Sequence, residues 1–427
     1  MQIDGFHYQD GQLFCENVDV GEIAAEIGTP FYLYSHEILE NRAQAFQSAF
    51  TKSSALICYA LKANSNRAIL TTLARAGLGA DVVSGGELTQ AIRAGINARD
   101  IVFAGVGKTT DEIQLGLKNG IRAFNVESLP ELENIAKEAA RMGHEAPVSF
   151  RVNPNIDPKT HPYISTGLKE HKFGVSFEVG RKGYHLVQQH KYLNPVGIHA
   201  HLGSQISGVQ PFEEMMAKLS EFVGELAGQG IELGFIDVGG GVGIPYREHE
   251  ECIAIQEYAK AVEKGMDNLD LEPLPTIIAE PGRAISGPAG ILVSEITYVK
   301  EKKDKKFLIL DAGMNDFIRP SLYEAWHEIL PLKERCCGDV GLVDVVGPVC
   351  ESADFFAQDR KIPDLSAGER LAIKDAGAYG YSMSSNYNSR PRPAEVMVKG
   401  SEFDEIRKRE TMEDLLQDET LPGFLKE

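Results

Sequence analysis

The chain has 427 residues, of which 43% are apolar and 25% are charged, and its formal net charge is −19. This length exceeds one ordinary domain and suits a large α/β barrel joined to a smaller domain. The negative charge argues against nucleic acid or an anionic membrane surface as a partner. A signal peptide and a membrane-spanning apolar stretch are not evident. Six cysteines without a Cys-x-x-Cys pair indicate reduced thiols, so we expect a cytoplasmic protein.

Residues 1–35 include the run Phe31–Tyr34, which is typical of a strand. Residues 36–285 then repeat one pattern eight times: a short run rich in β-branched residues, followed by a stretch with helical spacing. The eight predicted strands are Ala55–Ala60, Gly79–Val83, Asp100–Ala104, Ala123–Val126, Val148–Val152, Val196–Ala200, Phe235–Val238 and Thr276–Ala279. Eight such units favour a closed parallel (β/α)8 barrel, and an open doubly wound sheet is the alternative.

The remaining segments differ from this pattern. Between the fifth and sixth predicted strands, the turn-rich stretch from Asn153 to Gly174 predicts a long loop over one face of the barrel. Residues 286–427 predict strands without regular helices between them, at Ile291–Val299, Phe307–Leu310, Val340–Val346, Leu371–Lys374 and Glu395–Val398. We expect a mostly antiparallel β domain that residues 1–35 join, with the barrel inserted between its two parts.

A barrel enzyme carries its active site at the carboxyl ends of its strands, so the residues found there are the candidates. Lys62 follows the first predicted strand, and burial would make its amine a nucleophile toward an aldehyde. Asp81 lies on the second strand, on the same predicted rim. Glu280, after the eighth strand, can face a pyridine nitrogen, and His201 can stack on such a ring. The alternative for Lys62 is an ordinary surface lysine.

Glycines follow the seventh and eighth predicted strands, where barrels commonly hold a phosphate. Gly239, Gly240 and Gly241 form a triplet, and Gly282 lies after the eighth strand. Backbone amides at such positions can approach an anion closely, and the Ser204 hydroxyl can add a donor. Alternatively, the glycines only turn the chain.

The pair His199 and His201 allows a second interpretation. Residues two apart on a strand point the same way, and His-x-His on a barrel strand can bind a divalent metal in a hydrolase. The other predicted strand ends supply no histidine, so the ligand set is incomplete.

The motifs together resemble the fold-type III pyridoxal-phosphate decarboxylases, the family of ornithine decarboxylase and its relatives, over nearly the whole chain. The matching stretches are 59–64, 201–204, 239–241, 280–283, 314–323, 347–354 and 375–383. The resemblance implies an alanine-racemase-like barrel, pyridoxal 5'-phosphate as cofactor, and a homodimer with shared active sites. The last three stretches are similar to those of members that decarboxylate meso-2,6-diaminopimelate to L-lysine and carbon dioxide, the last step of lysine biosynthesis.

Residue roles follow from this resemblance. It implies that Lys62 is the Schiff-base lysine and that Cys350 is a catalytic general acid. The implied cofactor-binding residues are Lys62, Asp81, His201, Ser204, Gly240, Gly241, Glu280, Gly282, Arg283 and Tyr379. The implied substrate-binding residues are Arg283, Arg319, Tyr323, Glu351 and Tyr379. Cys350 and Glu351 would come from the partner subunit.

The distal end of this substrate carries both a carboxylate and an ammonium group, so its recognition needs a cation and an anion. Arg283 and Arg319 can bind a carboxylate through paired N–H donors, and Glu351 can bind the ammonium. A structural ion pair is the alternative for Arg319. Three other functions stay open: a decarboxylase of the same family for arginine or carboxynorspermidine, a non-catalytic cofactor carrier, and a metal-dependent barrel hydrolase. A C-terminal β domain with Cys350 and Glu351 favours turnover over a carrier.

Overall fold

The computed structural model describes residues 5–157, 172–267, 269–303, 305–335 and 340–426. The chain divides into two compact units, Leu39–Gly287 and the combination of Met1–Ile38 with Pro288–Glu427. Residues 158–171 of the predicted loop over the barrel lie outside the described residues, as do Cys336 and Cys337. Within the described ranges, no helix is both long and apolar enough to cross a bilayer.

The N-terminal segment forms a small sheet, one helix and one strand of a larger sheet. Its elements are β1 (Phe6–Gln9), β2 (Gln12–Cys15), β3 (Val18–Asp19), α1 (Val20–Ile27) and β4 (Phe31–Ser35). The first three strands pair antiparallel in chain order. Asp19 caps α1, because its carboxylate accepts the backbone N–H of Gly21 at 2.7 Å. All five residues of β4 are buried.

Eight parallel strands form a closed barrel in the unit Leu39–Gly287, which confirms the predicted architecture. They are β5 (Ala55–Ala60), β6 (Gly79–Val82), β7 (Ile101–Phe103), β8 (Ala123–Val126), β9 (Ala146–Arg151), β10 (Leu193–His199), β11 (Phe235–Asp237) and β12 (Thr276–Ala279). Neighbours in this order pair with each other, and β12 pairs with β5 to close the barrel. Strand β10 begins earlier than predicted, because Leu193 pairs with Ala146.

One helix precedes the first barrel strand, and one helix follows each of the eight barrel strands. They are α2 (His36–Ala49), α3 (Arg67–Arg75), α4 (Gly85–Arg93), α5 (Thr110–Asn119), α6 (Leu129–Met142), α7 (Phe177–Gln189), α8 (Gln210–Gly228), α9 (Ile255–Met266) and α10 (Arg283–Ser286). In α6, the residues at helical spacing Leu132, Ile135 and Ala139 are buried on one face. The loop that joins each barrel strand to the following helix therefore begins at the carboxyl end of that strand.

The regular elements of the C-terminal segment are mostly strands, as predicted. Its elements are β13 (Gly290–Lys302), β14 (Lys305–Leu310), α11 (Arg319–Tyr323), β15 (Ile329–Pro331), β16 (Val340–Val346), β17 (Phe355–Pro363), β18 (Arg370–Ile373), β19 (Ala394–Lys399), β20 (Glu402–Arg407) and α12 (Met412–Leu416). Together with β4, strands of this segment form a sheet in the order β17-β16-β14-β13-β4-β19-β20. Strand β18 pairs with both β13 and β15.

Strand β4 lies between β13 and β19 in this sheet, so the N-terminal segment belongs to the same unit as the C-terminal one. The β14–β16 and β4–β19 pairs are parallel, and the other pairs are antiparallel. The sequence prediction missed β15, β17 and β20. Strand β20, Glu402–Arg407, carries four charged side chains among its six residues, so it offers little apolar signal.

Candidate active site

Lys62 lies just past the end of β5, in a turn held by backbone hydrogen bonds. The N–H of Leu61 donates to the carbonyl of Asp81, and that of Ala63 donates to the carbonyl of Ala60, both at 3.1 Å. The Lys62 ammonium forms an ion pair with the Asp81 carboxylate on β6. The lysine side chain is 34% exposed and Asp81 is fully buried. These two predicted site residues therefore come together where the barrel interior meets solvent.

Buried acidic groups surround this pair at the strand ends. Glu280 follows β12 and Asp237 ends β11, and both are almost inaccessible. Burial opposes a charge on Glu280, but the imidazole of His199 and the ammonium of Lys62 hold its pKa below the ordinary value. Burial and the charge of Glu280 raise the pKa of Asp237 and of Asp81. The lowered pKa keeps Glu280 ionised although its side chain is buried.

His199 belongs to the buried acidic cluster. Its Nε2 lies 3.4 Å from an oxygen of Glu280. Single donor atoms of His199, Asp237 and Glu280 lie within 4.8 Å of one another, a spacing that could hold a metal ion. The candidate metal ligands in the structure therefore differ from the predicted pair His199 and His201.

His201 makes a different contact. Strand β10 ends at His199, so the alternation of side chains along a strand does not extend to His201. The His201 Nδ1 accepts the N–H of Gly240 at 3.1 Å. Burial, with the charges of Arg151 and Lys62, lowers the pKa of His201 well below its ordinary value, so its ring is neutral.

The glycines after β11 allow the chain to pass close to neighbouring backbone. A Cβ on Gly240 would lie 2.3 Å from the carbonyl oxygen of Glu280. A Cβ on Gly241 would lie 2.7 Å from that of Gly203, and Gly241 has a φ of +109°. Packing alone therefore requires glycine at both positions. Among the described residues, the Gly241 amide has no hydrogen-bond acceptor in the protein, which leaves it able to bind an anion.

The loop after β12 continues this surface. A Cβ on Gly282 would lie 3.1 Å from the Cβ atoms of Ala60 and Ala63, so Gly282 lets the loop pack beside the Lys62 turn. Arg283 begins α10 and is buried. Its Nε and Nη2 donate to the hydroxyl of Ser204 at 3.3 and 3.0 Å.

The other compact unit carries the remaining candidates. Arg319 begins α11, is buried, and donates from Nε to Nε2 of His327 at 3.4 Å. The Nδ1 of His327 lies 2.8 Å from the carbonyl oxygen of Lys374. Tyr323 ends α11 and is half-buried. Tyr379 is also half-buried and has a left-handed φ of 56°.

Cys350 and Glu351 are exposed on this chain. The N–H of Cys350 donates to the side-chain oxygen of Asn388 at 2.8 Å. The Glu351 carboxylate accepts the N–H of Ser352 at 2.8 Å. Asp354 fixes this turn, because its carboxylate accepts the N–H of Val349 at 2.6 Å.

Three contacting residues were missed from the sequence. The Tyr246 hydroxyl accepts a hydrogen bond from Arg283, and His327 accepts one from Arg319. The Asp354 carboxylate accepts the N–H of Met314 as well as that of Val349. Tyr246 stands five residues after the glycine triplet, and this position could have identified it from the sequence. Asp354 lies within the matching stretch 347–354 but was given no role there, and His327 lies outside the matching stretches.

A closed barrel with a lysine, an ionised buried carboxylate and a fixed arginine at its strand ends defines a barrel enzyme with its chemistry at that face. The family profile "Pyridoxal-dependent decarboxylase, pyridoxal binding domain" matches residues 36–287. The chain belongs to this family of decarboxylases.

Relatives are similar over nearly the full length. Diaminopimelate decarboxylase of Vibrio cholerae is 46% identical over 97% of this chain and 98% of that protein. The crystal structure of diaminopimelate decarboxylase from Helicobacter pylori complexed with L-lysine has a TM-score of 0.90 at 45% identity, covering 93% of this chain and 98% of that one. The M. jannaschii diaminopimelate decarboxylase in complex with L-lysine has a TM-score of 0.93 at 40% identity, covering 99% of each chain.

The barrel residues fit the cofactor that the family name implies. One oxygen of Glu280 has no hydrogen-bond partner among the described residues, although the side chain is only 3% exposed. A buried anionic oxygen of this kind suits a protonated ring nitrogen. The Ser204 hydroxyl accepts from Arg283 and keeps its own proton to donate.

Proposed function

We propose that this chain uses pyridoxal 5'-phosphate to decarboxylate meso-2,6-diaminopimelate to L-lysine and carbon dioxide. The observation that carries the proposal is the Lys62–Asp81 pair at the same barrel end as the ionised Glu280. The names of the full-length relatives supply the substrate and the product. The four described cysteines Cys15, Cys58, Cys252 and Cys350 are free thiols, which agrees with a cytoplasmic enzyme.

Barrel residues, together with Tyr379 of the other unit, would hold the cofactor at two ends. Lys62 would bind its aldehyde carbon covalently, with Asp81 orienting the amine. Glu280 would bind the ring nitrogen, and the neutral ring of His201 would stack on the cofactor. The phosphate would be bound by Gly240, Gly241, Gly282, the backbone of Arg283, Ser204 and Tyr379.

When bound, the cofactor supplies a ring that accepts the electron pair left by carbon dioxide. The ionised carboxylate of Glu280 would keep the ring nitrogen protonated, which would strengthen this acceptor. Cys350 would then donate a proton to the carbon that lost carbon dioxide. Lys62 would recover its link to the cofactor as the product leaves.

The distal end of the substrate would be bound by charge and shape. Arg283 and Arg319 would bind its carboxylate, and Glu351 its ammonium group, with Tyr323 and Tyr379 beside them. We assign Cys350 and Glu351 to the partner subunit of a homodimer, so each active site would need two chains. Both residues are exposed on the isolated chain, which supports this assignment.

The experiment incubates the purified chain with pyridoxal 5'-phosphate and meso-diaminopimelate, and measures L-lysine and carbon dioxide. Parallel reactions contain L-arginine or carboxynorspermidine. We expect lysine and carbon dioxide in equal amounts, and no product from the other two substrates. If only L-arginine or only carboxynorspermidine released carbon dioxide, that compound would replace meso-diaminopimelate as the proposed substrate.

A spectrum and a metal analysis distinguish the remaining functions. We expect a yellow absorbance band that borohydride removes, and activity that survives a chelator. A yellow protein without turnover on any of the three substrates would favour the carrier. A colourless protein with a bound metal ion at His199, Asp237 and Glu280 would favour the hydrolase.

A further inference from the structure

Arg283 is held by hydroxyl groups from two different barrel loops. Its Nε and Nη2 donate to Ser204, after β10, and its Nη1 donates to the Tyr246 hydroxyl, after β11, at 2.5 Å. The centre of the guanidinium group also lies 5.9 Å from the centroid of the Tyr246 ring. Because each of its three nitrogens is bound, the guanidinium plane has a defined orientation.

The loop that carries Tyr246 is itself well fixed. The Glu250 carboxylate accepts the N–H of Tyr246 at 2.8 Å and that of Arg247 at 3.1 Å. Gln205 binds Ile244 in both directions: its amide donates to the carbonyl at 2.6 Å and accepts the N–H at 3.3 Å. These bonds place the Tyr246 hydroxyl in a defined position.

Gln205 also connects the two hydroxyl groups. It is the residue after Ser204, and it bonds to the loop that carries Tyr246. Ser204 and Tyr246 are therefore parts of one hydrogen-bonded structure that holds Arg283 between the loops. Of the two, Ser204 is also assigned to the cofactor phosphate, whereas Tyr246 has no such assignment.

We infer that Tyr246 is a positioning residue that holds the Arg283 guanidinium in the orientation that binds the distal carboxylate of the substrate. This inference rests on the proposed function, in which Arg283 binds that carboxylate. Arginine binds a carboxylate best through two parallel N–H···O bonds in one plane, so its orientation sets the affinity. A ligand without the carboxylate does not depend on that orientation.

The test replaces Tyr246 by Phe, which removes the hydroxyl and keeps the ring. Tyr192→Phe is the matched control, because Tyr192 is half-buried next to β10 and its hydroxyl makes no hydrogen bond among the residues that the structure describes. Binding to the cofactor-loaded enzyme is followed by the change in cofactor absorbance. The two ligands are L-lysine, which keeps the distal carboxylate, and 1,5-diaminopentane, which lacks it.

We expect Tyr246→Phe to weaken L-lysine binding about tenfold, the loss of one charge-assisted hydrogen bond, and to leave diaminopentane binding unchanged. The KM for meso-diaminopimelate rises similarly, while kcat changes little. Tyr192→Phe changes neither affinity. These results together support the positioning role.

Unchanged L-lysine affinity in Tyr246→Phe would overturn the inference, and so would an equal loss for both ligands, since that indicates general damage to the site. Loss of the cofactor itself would overturn it as well. In each of these cases the unmodified enzyme still converts meso-diaminopimelate to lysine. If the unmodified enzyme lacks this activity, the proposed function fails and the inference fails with it.

Discussion

Lys62 and Asp81 form an ion pair across two adjacent barrel strands, between a partly exposed amine and a fully buried carboxylate. Asp81 lies on β6 and Lys62 follows β5. These strands are parallel neighbours in the barrel, so their carboxyl ends bring the two side chains together. The buried carboxylate limits where the ammonium can lie. The Lys62 amine is therefore oriented by a residue that is itself inaccessible to solvent.

The first prediction concerns Lys62. Replacing Lys62 by Ala removes the only group assigned to a covalent link, so we expect turnover to fall by on the order of a thousandfold or more. The yellow, borohydride-reducible absorbance band should disappear. Lys182→Ala is the control, because Lys182 is an exposed residue paired with Glu178 on α7. A reducible band that survives in Lys62→Ala would move the link to another amine.

The second prediction concerns a buried ion pair in the barrel. Glu127 binds Arg151, and its two oxygens also accept the N–H groups of Gly105 and Gly174. Glu127→Gln removes the charge and turns one acceptor into a donor, which leaves Arg151 buried without its counter-charge. We expect the free energy of unfolding to fall by about 3 kcal/mol. Urea unfolding followed by far-ultraviolet circular dichroism measures it.

The matched variant for this pair lies on the surface. Arg181 and Glu225 form an ion pair whose side chains are both more than one-third exposed. Glu225→Gln is expected to leave the unfolding midpoint unchanged, because solvent screens exposed pairs. If Glu127→Gln and Glu225→Gln lowered the free energy of unfolding equally, burial would not explain the contribution of Glu127.

The barrel could be predicted because its signal is periodic and local. Strand ends fall at Lys62, Asp81 and Glu280, and parallel strands bring their carboxyl ends together. The contact between Tyr246 and Arg283 could not be predicted, since it depends on side-chain geometry. It requires Gln205, at a left-handed φ of 59°, to bind the loop after β11. No pattern in the sequence encodes that approach.

The alternative interpretation of His199 and His201 as a metal-binding pair does not match the structure, for a related reason. The sequence interpretation paired His199 with His201 as if both lay on one strand. The strand ends at His199, and Glu280 and Asp237 are its neighbours instead. Ends of strands are set by pairing with neighbours, which an isolated run of residues does not reveal. The edge strand β20 was missed because charged residues dominate its sequence.

The third prediction concerns pH. Burial raises the pKa of Glu87 from 4.5 to about 7, although the N–H of Val83 donates to its carboxylate. The folded chain therefore keeps a proton that the unfolded chain has released between these pH values. Glu87 favours folding below pH 4.5 and progressively loses that contribution as the pH rises through 7. Glu87→Gln should thus match the parent at pH 5 and melt at a higher temperature at pH 8.

The pKa of Glu112 shifts in the opposite direction, so Glu112 serves as the comparison. Partial burial opposes its charge, but the N–H groups of Thr109 and Gly85 donate to its carboxylate and lower its pKa. Its contribution to stability is present above pH 4.5 and is lost as the pH falls. Glu112→Gln should lower the melting temperature at pH 8, and by less at pH 4. If both variants changed the melting temperature at pH 8 in the same direction, the assigned pKa directions would be wrong.

The last prediction concerns the division of the active site between two chains. If Cys350 comes from the partner subunit, Lys62→Ala and Cys350→Ala homodimers are each inactive because every site lacks one group. Mixing the two after dissociation produces heterodimers in which one site has Lys62 from one chain and Cys350 from the other. With random pairing, about a quarter of all sites are then complete, so activity recovers to about 25% of the unmodified level.

This recovery requires the two groups to belong to different chains. If both came from one chain, each site in a heterodimer would still lack Lys62 or Cys350, and mixing would restore nothing. Mixing Lys62→Ala with the unmodified enzyme in the same way controls for activity lost during dissociation and reassociation, since the activity of this mixture depends only on the fraction of intact Lys62. Cys350→Ala alone should retain the bound cofactor and its absorbance band while losing turnover. That combination separates a missing proton donor from a failure to assemble the site.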